Sequence, residues 1–162
     1  MSENVLRVSN EGAWFRGRKF ERSIGKGGIA IKTGEGDNVT PIGEWRVEEW
    51  LVRKDRLDFD GKAIEANDRW CDDPADPRYN TLVKGPIDVS SEDMSRDDAL
   101  YDLVGVVNYN RDPIIAGKGS AIFIHQWRAP NHPTEGCVAF AREDLMWIAT
   151  NWQPNTRLII QE

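Results

Sequence analysis

The chain has 162 residues, with 21 Lys and Arg against 27 Asp and Glu for a formal charge of −6, and it is 40 % hydrophobic and 30 % charged, with only two histidines and two cysteines. A chain of this length folds as one domain and buries roughly 70 % of its unfolded surface, so it needs neither a disulfide framework nor a structural metal. The acidic balance, with no Lys/Arg-rich run, leaves no footprint for nucleic acid or an anionic membrane, and no stretch approaches the roughly 18 apolar residues of a membrane span.

At the N-terminus, Met1-Ser-Glu-Asn-Val-Leu-Arg-Val8 lacks the charged start and the roughly 7 to 15 apolar residues of a secretory signal. As written, the sequence therefore predicts a cytoplasmic protein unless a leader precedes it. Val5 to Val8 reads as a strand, and Trp14 to Phe20 as two strand ends around a turn at Gly17. Lys26-Gly27-Gly28-Ile29 reads as a tight glycine turn; the strand, helix and Lys-Ser/Thr ending of a phosphate loop are missing there. The loop Glu35 to Gly43 feeds Glu44 to Val52, predicted as one strand with Trp45 and Val47 on a shared face.

From Arg53 to about Ser95 the sequence turns charged and Pro/Asp-rich, without periodicity, and predicts a long irregular insertion. Asp72, Asp73 and Asp76 within it suit an acidic turn with Asx-type bonds better than a cation site. Leu103 to Tyr109 is a near-continuous apolar run and predicts a central buried strand; Ser120 to His125 predicts another. Leu145, Ile148, Ala149 and Trp152 recur at i, i+3, i+4 and i+7, predicting a helix from Arg142 to about Asn151 with Glu143 and Asp144 in its first turn. Thr156 to Ile160 then predicts a closing strand. Tyr79, Asn80, Tyr101, Asp102, Tyr109 and Asn110 read as packing residues near strand ends.

The chemistry concentrates in one place: of the four His and Cys side chains, His125, His132 and Cys137 fall within 12 residues. A cysteine attacks as the thiolate, and histidine is the side chain that exchanges protons near neutral pH, so Cys137 is the candidate nucleophile and His125 the candidate base. Gly136 lets the backbone turn sharply before Cys137, and the amides of both residues are candidate oxyanion donors. His132 and Arg128 are candidate substrate contacts in the loop between.

These residues carry a resemblance. Thr134-Glu135-Gly136-Cys137 after a strand ending in His125 is similar to the His...Ser/Thr-x-Gly-Cys signature of the L,D-transpeptidase catalytic domain (YkuD-like) family. Upstream, Gly25-Lys26, Gly36-Asp37 and Thr40-Pro41-x-Gly43 resemble its G-K...DG-x-TP-x-G element; downstream, Pro154-Asn-Thr156-Arg-Leu-Ile-Ile160 resembles its closing strand. The resemblance implies a mainly β fold, a YkuD-like β-sandwich with one C-terminal helix, carrying here the long irregular insertion over about 53–95. It implies a peptidoglycan stem peptide or muropeptide as partner, acylation of Cys137 with release of a terminal D-alanine, and transfer to another stem's amine as a 3→3 cross-link. Hydrolysis by the same acyl-enzyme, an L,D-carboxypeptidase, is the alternative.

Under the same resemblance Cys137 is the nucleophile, His125 its base, Gly136 an oxyanion donor and Thr134 a substrate-side residue that hydrogen-bonds within the loop. No cofactor is implied, a monomer is expected, and the family's substrate would place the protein in the periplasm or cell wall. Gln126 stands where many members have Gly, and Ala139 where they have Arg or Asn, so Arg128 or Arg142 becomes the candidate for holding a substrate carboxylate. Two competing readings are a zinc module using Cys71, His125, His132 and Cys137, whose spacing matches no paired knuckle, and a catalytically silent wall-binding domain.

Overall fold

The computed structural model describes residues 4–162; residues 1–3, where the reading of the N-terminus begins, lie outside the described residues. Fifteen strands and one helix follow in order: β1 (Val5–Ser9), β2 (Gly12–Phe15), β3 (Arg18–Phe20), β4 (Ile29–Ala30), β5 (Thr40–Pro41), β6 (Gly43–Trp45), β7 (Val47–Val52), β8 (Lys62–Ala63), β9 (Asp68–Cys71), β10 (Leu82–Lys84), β11 (Ser91–Asp93), β12 (Leu103–Val107), β13 (Phe123–Gln126), β14 (Val138–Phe140), α1 (Arg142–Thr150) and β15 (Arg157–Ile160). The fold is mainly β with one helix near the C-terminus, as the sequence predicts.

Two five-stranded sheets carry the architecture. One runs β3-β2-β1-β15-β6 and the other β14-β13-β12-β7-β8. Their facing sides share one core: Leu6, Val8 and Phe15 from the first meet Val52, Leu103, Val107, Ile124 and Phe140 from the second, giving a β-sandwich. Helix α1 closes one side of this core with Leu145, Ile148 and Ala149, the stripe its 3.6-residue period predicts. Trp152, beyond the helix end, packs 5.8 Å from Phe15 and 5.8 Å from Trp50. Among the described residues no helix is long and apolar enough to cross a membrane.

Strand β12 lies in the middle of the second sheet and is buried along its whole length, because both faces of that sheet are covered. Alternation assigns the faces: Leu103 and Val107 point to the sandwich core, while Val104 and Val106 point the other way. That second face meets Trp70, Met94 and Tyr101, which belong to the 53–95 segment and its continuation. The segment is mostly turn and loop, as expected, but it is folded around a small sheet of order β10-β9-β11 that the sequence pattern does not reveal. Trp70 at its centre stacks edge-on against Phe123, 5.0 Å between ring centroids. Asp73 and Asp76 accept from the amides of Ala75 and Arg78 at 2.9 and 2.8 Å, the Asx turns expected of this stretch.

The stretch Glu44 to Val52, expected as one strand, is two. It breaks at Arg46, whose amide donates to Asn108 Oδ1 and whose carbonyl accepts from the Asn108 amide, and the chain passes there from the first sheet into the second. Trp45 and Val47 nevertheless both pack on the sandwich core, because the crossover keeps that face inward. The strand ending in His125 is shorter than the apolar run predicts: Ala121 adopts φ 54°, with its amide donating to Asn80 Oδ1, so regular pairing starts only at Phe123.

Candidate active site

The site is assembled by a parallel strand pair. Strand β14 runs parallel to β13 with Ile124 opposite Val138 and His125 opposite Ala139. Residues in register share a face and faces alternate along a strand, so Cys137, one residue before β14, emerges on the same side as Phe123 and His125. The contacts agree: Cys137 and Phe123 belong to the outer core, Ile124 and Val138 to the sandwich core. His125 and Cys137 both line one cavity of about 320 Å³, together with Tyr101, Glu92, Arg96 and Arg128.

Two sequence elements far apart in the chain are bolted together behind Cys137. The Thr40 side chain, fully buried, accepts from the Gly25 amide at 2.7 Å and donates to the Gly136 carbonyl at 2.8 Å. Alongside, Lys26 donates to the Thr134 carbonyl at 2.8 Å and Thr134 to the Ile24 carbonyl at 2.9 Å. The approach is so close that a Cβ on Gly25 would stand 2.2 Å from the Asn38 carbonyl oxygen and 3.0 Å from Gly136 Cα. Gly136 itself has φ 140°, a conformation open to glycine, and a Cβ there would meet the Val39 carbonyl at 3.0 Å. The Gly-Lys, Thr-Pro and Gly-Cys elements therefore form a single piece of structure.

Asp37 buttresses this piece. It accepts from Lys32 Nζ at 2.6 Å and from the amides of Thr33, Val39 and Gly34 at 2.9, 2.9 and 3.2 Å. Burial works against its charge, but the Lys32 ammonium and these amides outweigh it and hold the carboxyl well below the usual range.

The Cys137 thiol donates to the Ala121 carbonyl at 3.2 Å and accepts from the Phe123 amide at 3.3 Å. Burial pushes it up to about 12, the negative charge of Glu92 adds to the rise, and the Phe123 amide opposes it. His125 Nδ1 lies 2.7 Å from the Gln126 carbonyl, which can only accept, so the proton sits on Nδ1 and the Nε2 lone pair is free. Burial lowers His125 to about 4. At rest the pair is thus a neutral thiol and a neutral imidazole, with the imidazole in the tautomer a base requires.

Thr134 Oγ1 donates to the Cys137 carbonyl at 2.7 Å and accepts from the Gly136 amide at 3.1 Å, the loop-internal bonding expected of it. The same geometry commits the Gly136 amide, expected as an oxyanion donor, to Thr134. His132 and Arg128 are exposed on the rim of the cavity. Arg142 is held by Asp102 and Gln126 at 2.9 and 3.1 Å and does not line it, which leaves Arg128 of the two arginines weighed for a substrate carboxylate. Cys71 and Cys137 are both free and buried. Among the described residues no group of three or more His, Cys, Asp or Glu is arranged to hold a metal ion.

Three lining residues escape a reading of the sequence. Tyr101 stands edge-on to the His125 ring at 5.4 Å and donates its hydroxyl to Glu92 at 3.1 Å, and Arg96 lies 5.2 Å over the Tyr101 ring while paired to Asp98. Glu92 and Arg96 sit at the edge of the inserted small sheet, where no local motif marks them.

The family model of the L,D-transpeptidase catalytic domain matches residues 4–160. The chain belongs to this family. Comparison with curated proteins gives no match. Among solved structures, the chain is similar to an L,D-transpeptidase from Mycobacterium smegmatis (13 % identity, 98 % of this chain and 58 % of the other, TM-score 0.46). It is likewise similar to an L,D-transpeptidase from Mycobacterium tuberculosis H37Rv (13 %, 98 % and 57 %, TM-score 0.47) and to L,D-transpeptidase 3 from Mycobacterium tuberculosis in complex with a faropenem-derived adduct (14 %, 98 % and 60 %, TM-score 0.47). The chain spans less than two thirds of the length of these solved chains.

Proposed function

We propose that the protein is a cysteine acyltransferase acting on peptidoglycan stem peptides, forming an acyl-enzyme at Cys137 and passing the acyl group to an amine of a second stem. The observation that carries this reading is the parallel pair β13 and β14, which presents His125 and Cys137 on one face, in one cavity.

The resting thiol is far from ionised, so its proton leaves as the carbon–sulfur bond forms rather than beforehand. Nε2 of His125 takes that proton while Sγ attacks the carbonyl at the L-centre of the diamino acid. The carbonyl oxygen becomes an oxyanion, and the Cys137 amide is assigned as its donor because the Gly136 amide is taken by Thr134. Gly136 acts through shape, since its amide serves Thr134. Collapse breaks the amide bond to the terminal D-alanine, whose nitrogen takes the proton back from His125. Arg128 and His132 on the rim are the residues positioned to hold the stem. Transfer to an amine then gives the 3→3 link.

Incubation with a purified disaccharide tetrapeptide and mass analysis of the products tests this. A cross-linked dimer, absent with Cys137→Ala, is expected. A tripeptide alone would make the enzyme an L,D-carboxypeptidase, and unchanged tetrapeptide would refute both. A carbapenem adds its mass at Cys137 and leaves Cys71 unmodified; because burial holds both thiols protected, ordinary alkylation of the resting protein is slow at either.

A further inference from the structure

The cavity beside Cys137 is lined by carboxylates that no ion pair holds, with Arg128 and His132 on its rim loop. Asp72, Glu92 and Glu135 all face it, and among the described residues none of them is in an ion pair. Arg96, three residues after β11, is paired to Asp98 with bonds of 2.8 and 2.6 Å. Asp72 Oδ1 is shielded from solvent and has no hydrogen-bond partner, an acceptor waiting for a donor. Glu92 has one side-chain partner, the Tyr101 hydroxyl at 3.1 Å, and its carboxylate lines the same cavity as Cys137, close enough for its charge to raise the thiol.

We propose that Glu92, oriented by Tyr101, is the base that deprotonates the acyl acceptor, and that the acceptor arrives as the ammonium ion of a primary amine. The inference rests on the acyl-transfer reading above. An ammonium group brings three donors and one positive charge, which suits a site of unpaired carboxylates; water does not require them.

The groups facing Glu92 set its strength. Burial pushes its carboxyl up to about 7, and Asp72 after β9 and Glu135 in the loop before Cys137 add to the rise; the Tyr101 hydroxyl and Arg96 oppose it. The Cys137 thiol borders the same space. A base of this strength accepts an ammonium proton far better than His125, which burial holds near 4. The step balances as follows. Glu92 takes one proton from the ammonium, the freed amine attacks the thioester carbon, the carbon–sulfur bond breaks, and the second amine proton passes through His125 to the departing sulfur. Glu92 then releases its proton to water, and the pocket returns to its resting state.

The test separates acceptors by their charge. Acylation is measured with a carbapenem, and transfer from a disaccharide tetrapeptide is measured to methylamine, an ammonium ion at neutral pH, and to hydroxylamine, which is already unprotonated there. Glu92→Gln is expected to lower transfer to methylamine at least tenfold relative to acylation at pH 7, to lower transfer to hydroxylamine less than twofold, and to erase the rising limb of the wild-type methylamine profile. Tyr101→Phe keeps the carboxylate and removes its donor, so that limb moves to higher pH. Equal losses with both amines, or a limb unmoved in both variants, overturns the assignment. A wild-type protein that a carbapenem acylates but that transfers to neither amine also overturns it; one that is never acylated instead refutes the acyl-transfer reading on which it rests.

Discussion

Thr40→Val is the sharpest probe of how the upstream element supports the nucleophile. The substitution keeps shape and volume but removes the hydroxyl that accepts from Gly25 and donates to the Gly136 carbonyl. Both partners are main-chain groups in a buried setting, and a buried group left without its bond costs about 1–3 kcal/mol. The expected loss is therefore about 2–6 kcal/mol, a large share of the roughly 5–15 kcal/mol that holds a domain of this kind together. Thr40→Ser retains both bonds and gives up one methyl group, for about 1 kcal/mol. Urea unfolding at pH 7 reads the difference: with a slope of about 2 kcal/mol/M, the Val variant's midpoint falls by about 1–3 M and the Ser variant's by about 0.5 M. The carbapenem acylation rate of Cys137 is expected to fall in the same order, because the Gly136 carbonyl is freed. A Val variant as stable as the Ser variant would show that the hydroxyl bridge is idle and that the two motifs are held together otherwise.

Two further outcomes follow from the charges. His125 is lowered on folding from about 6.5 to about 4, so the unfolded chain binds the extra proton between these values; the stabilisation is complete above pH 6.5 and is lost as pH falls through 4. Relative to His125→Asn, the wild type is expected to lose about 2.5 kcal/mol between pH 7 and 4.5 by urea titration, and parallel curves would refute the burial argument. Glu92, raised on folding, slopes the opposite way over pH 4.5 to 7, so only the comparison with the variant isolates His125. Asp37→Asn leaves the buried Lys32 ammonium without its counter-charge, and breaking such a pair costs about 3 kcal/mol, or roughly 6–12 °C in melting temperature for a domain of this size. A shift below 2 °C would refute that role.

The parts of the fold that are legible in the sequence are those whose physics is local. The 3.6-residue stripe of α1, the Arg16-Gly17 turn between β2 and β3, and the unbroken apolar run of β12 each state their own structure. The break at Arg46 is invisible because it depends on Asn108, 62 residues away. The small inserted sheet is equally hidden: its strands are three or four residues long, and Trp70 and Met94 dock it on the far face of a sheet formed elsewhere. At the site, His125 and Cys137 are readable from 12 residues of sequence, since one strand pair delivers both. Glu92, Arg96 and Tyr101 are not, because only the tertiary fold lays the insertion against the nucleophile.

Strand β15 lies in the interior of its sheet, between β1 and β6, although it is the final strand of the domain. Until residues 157–160 are available, β1 and β6 have no neighbour between them, and the sheet exists only as the three-stranded meander β3-β2-β1 and a detached strand. The β6 stretch leads directly into β7 and the sheet that holds His125 and Cys137, so the last strand of the chain braces the connection between the two sheets. A chain cut shortly before Arg157 therefore loses the middle of a sheet, not a dispensable edge.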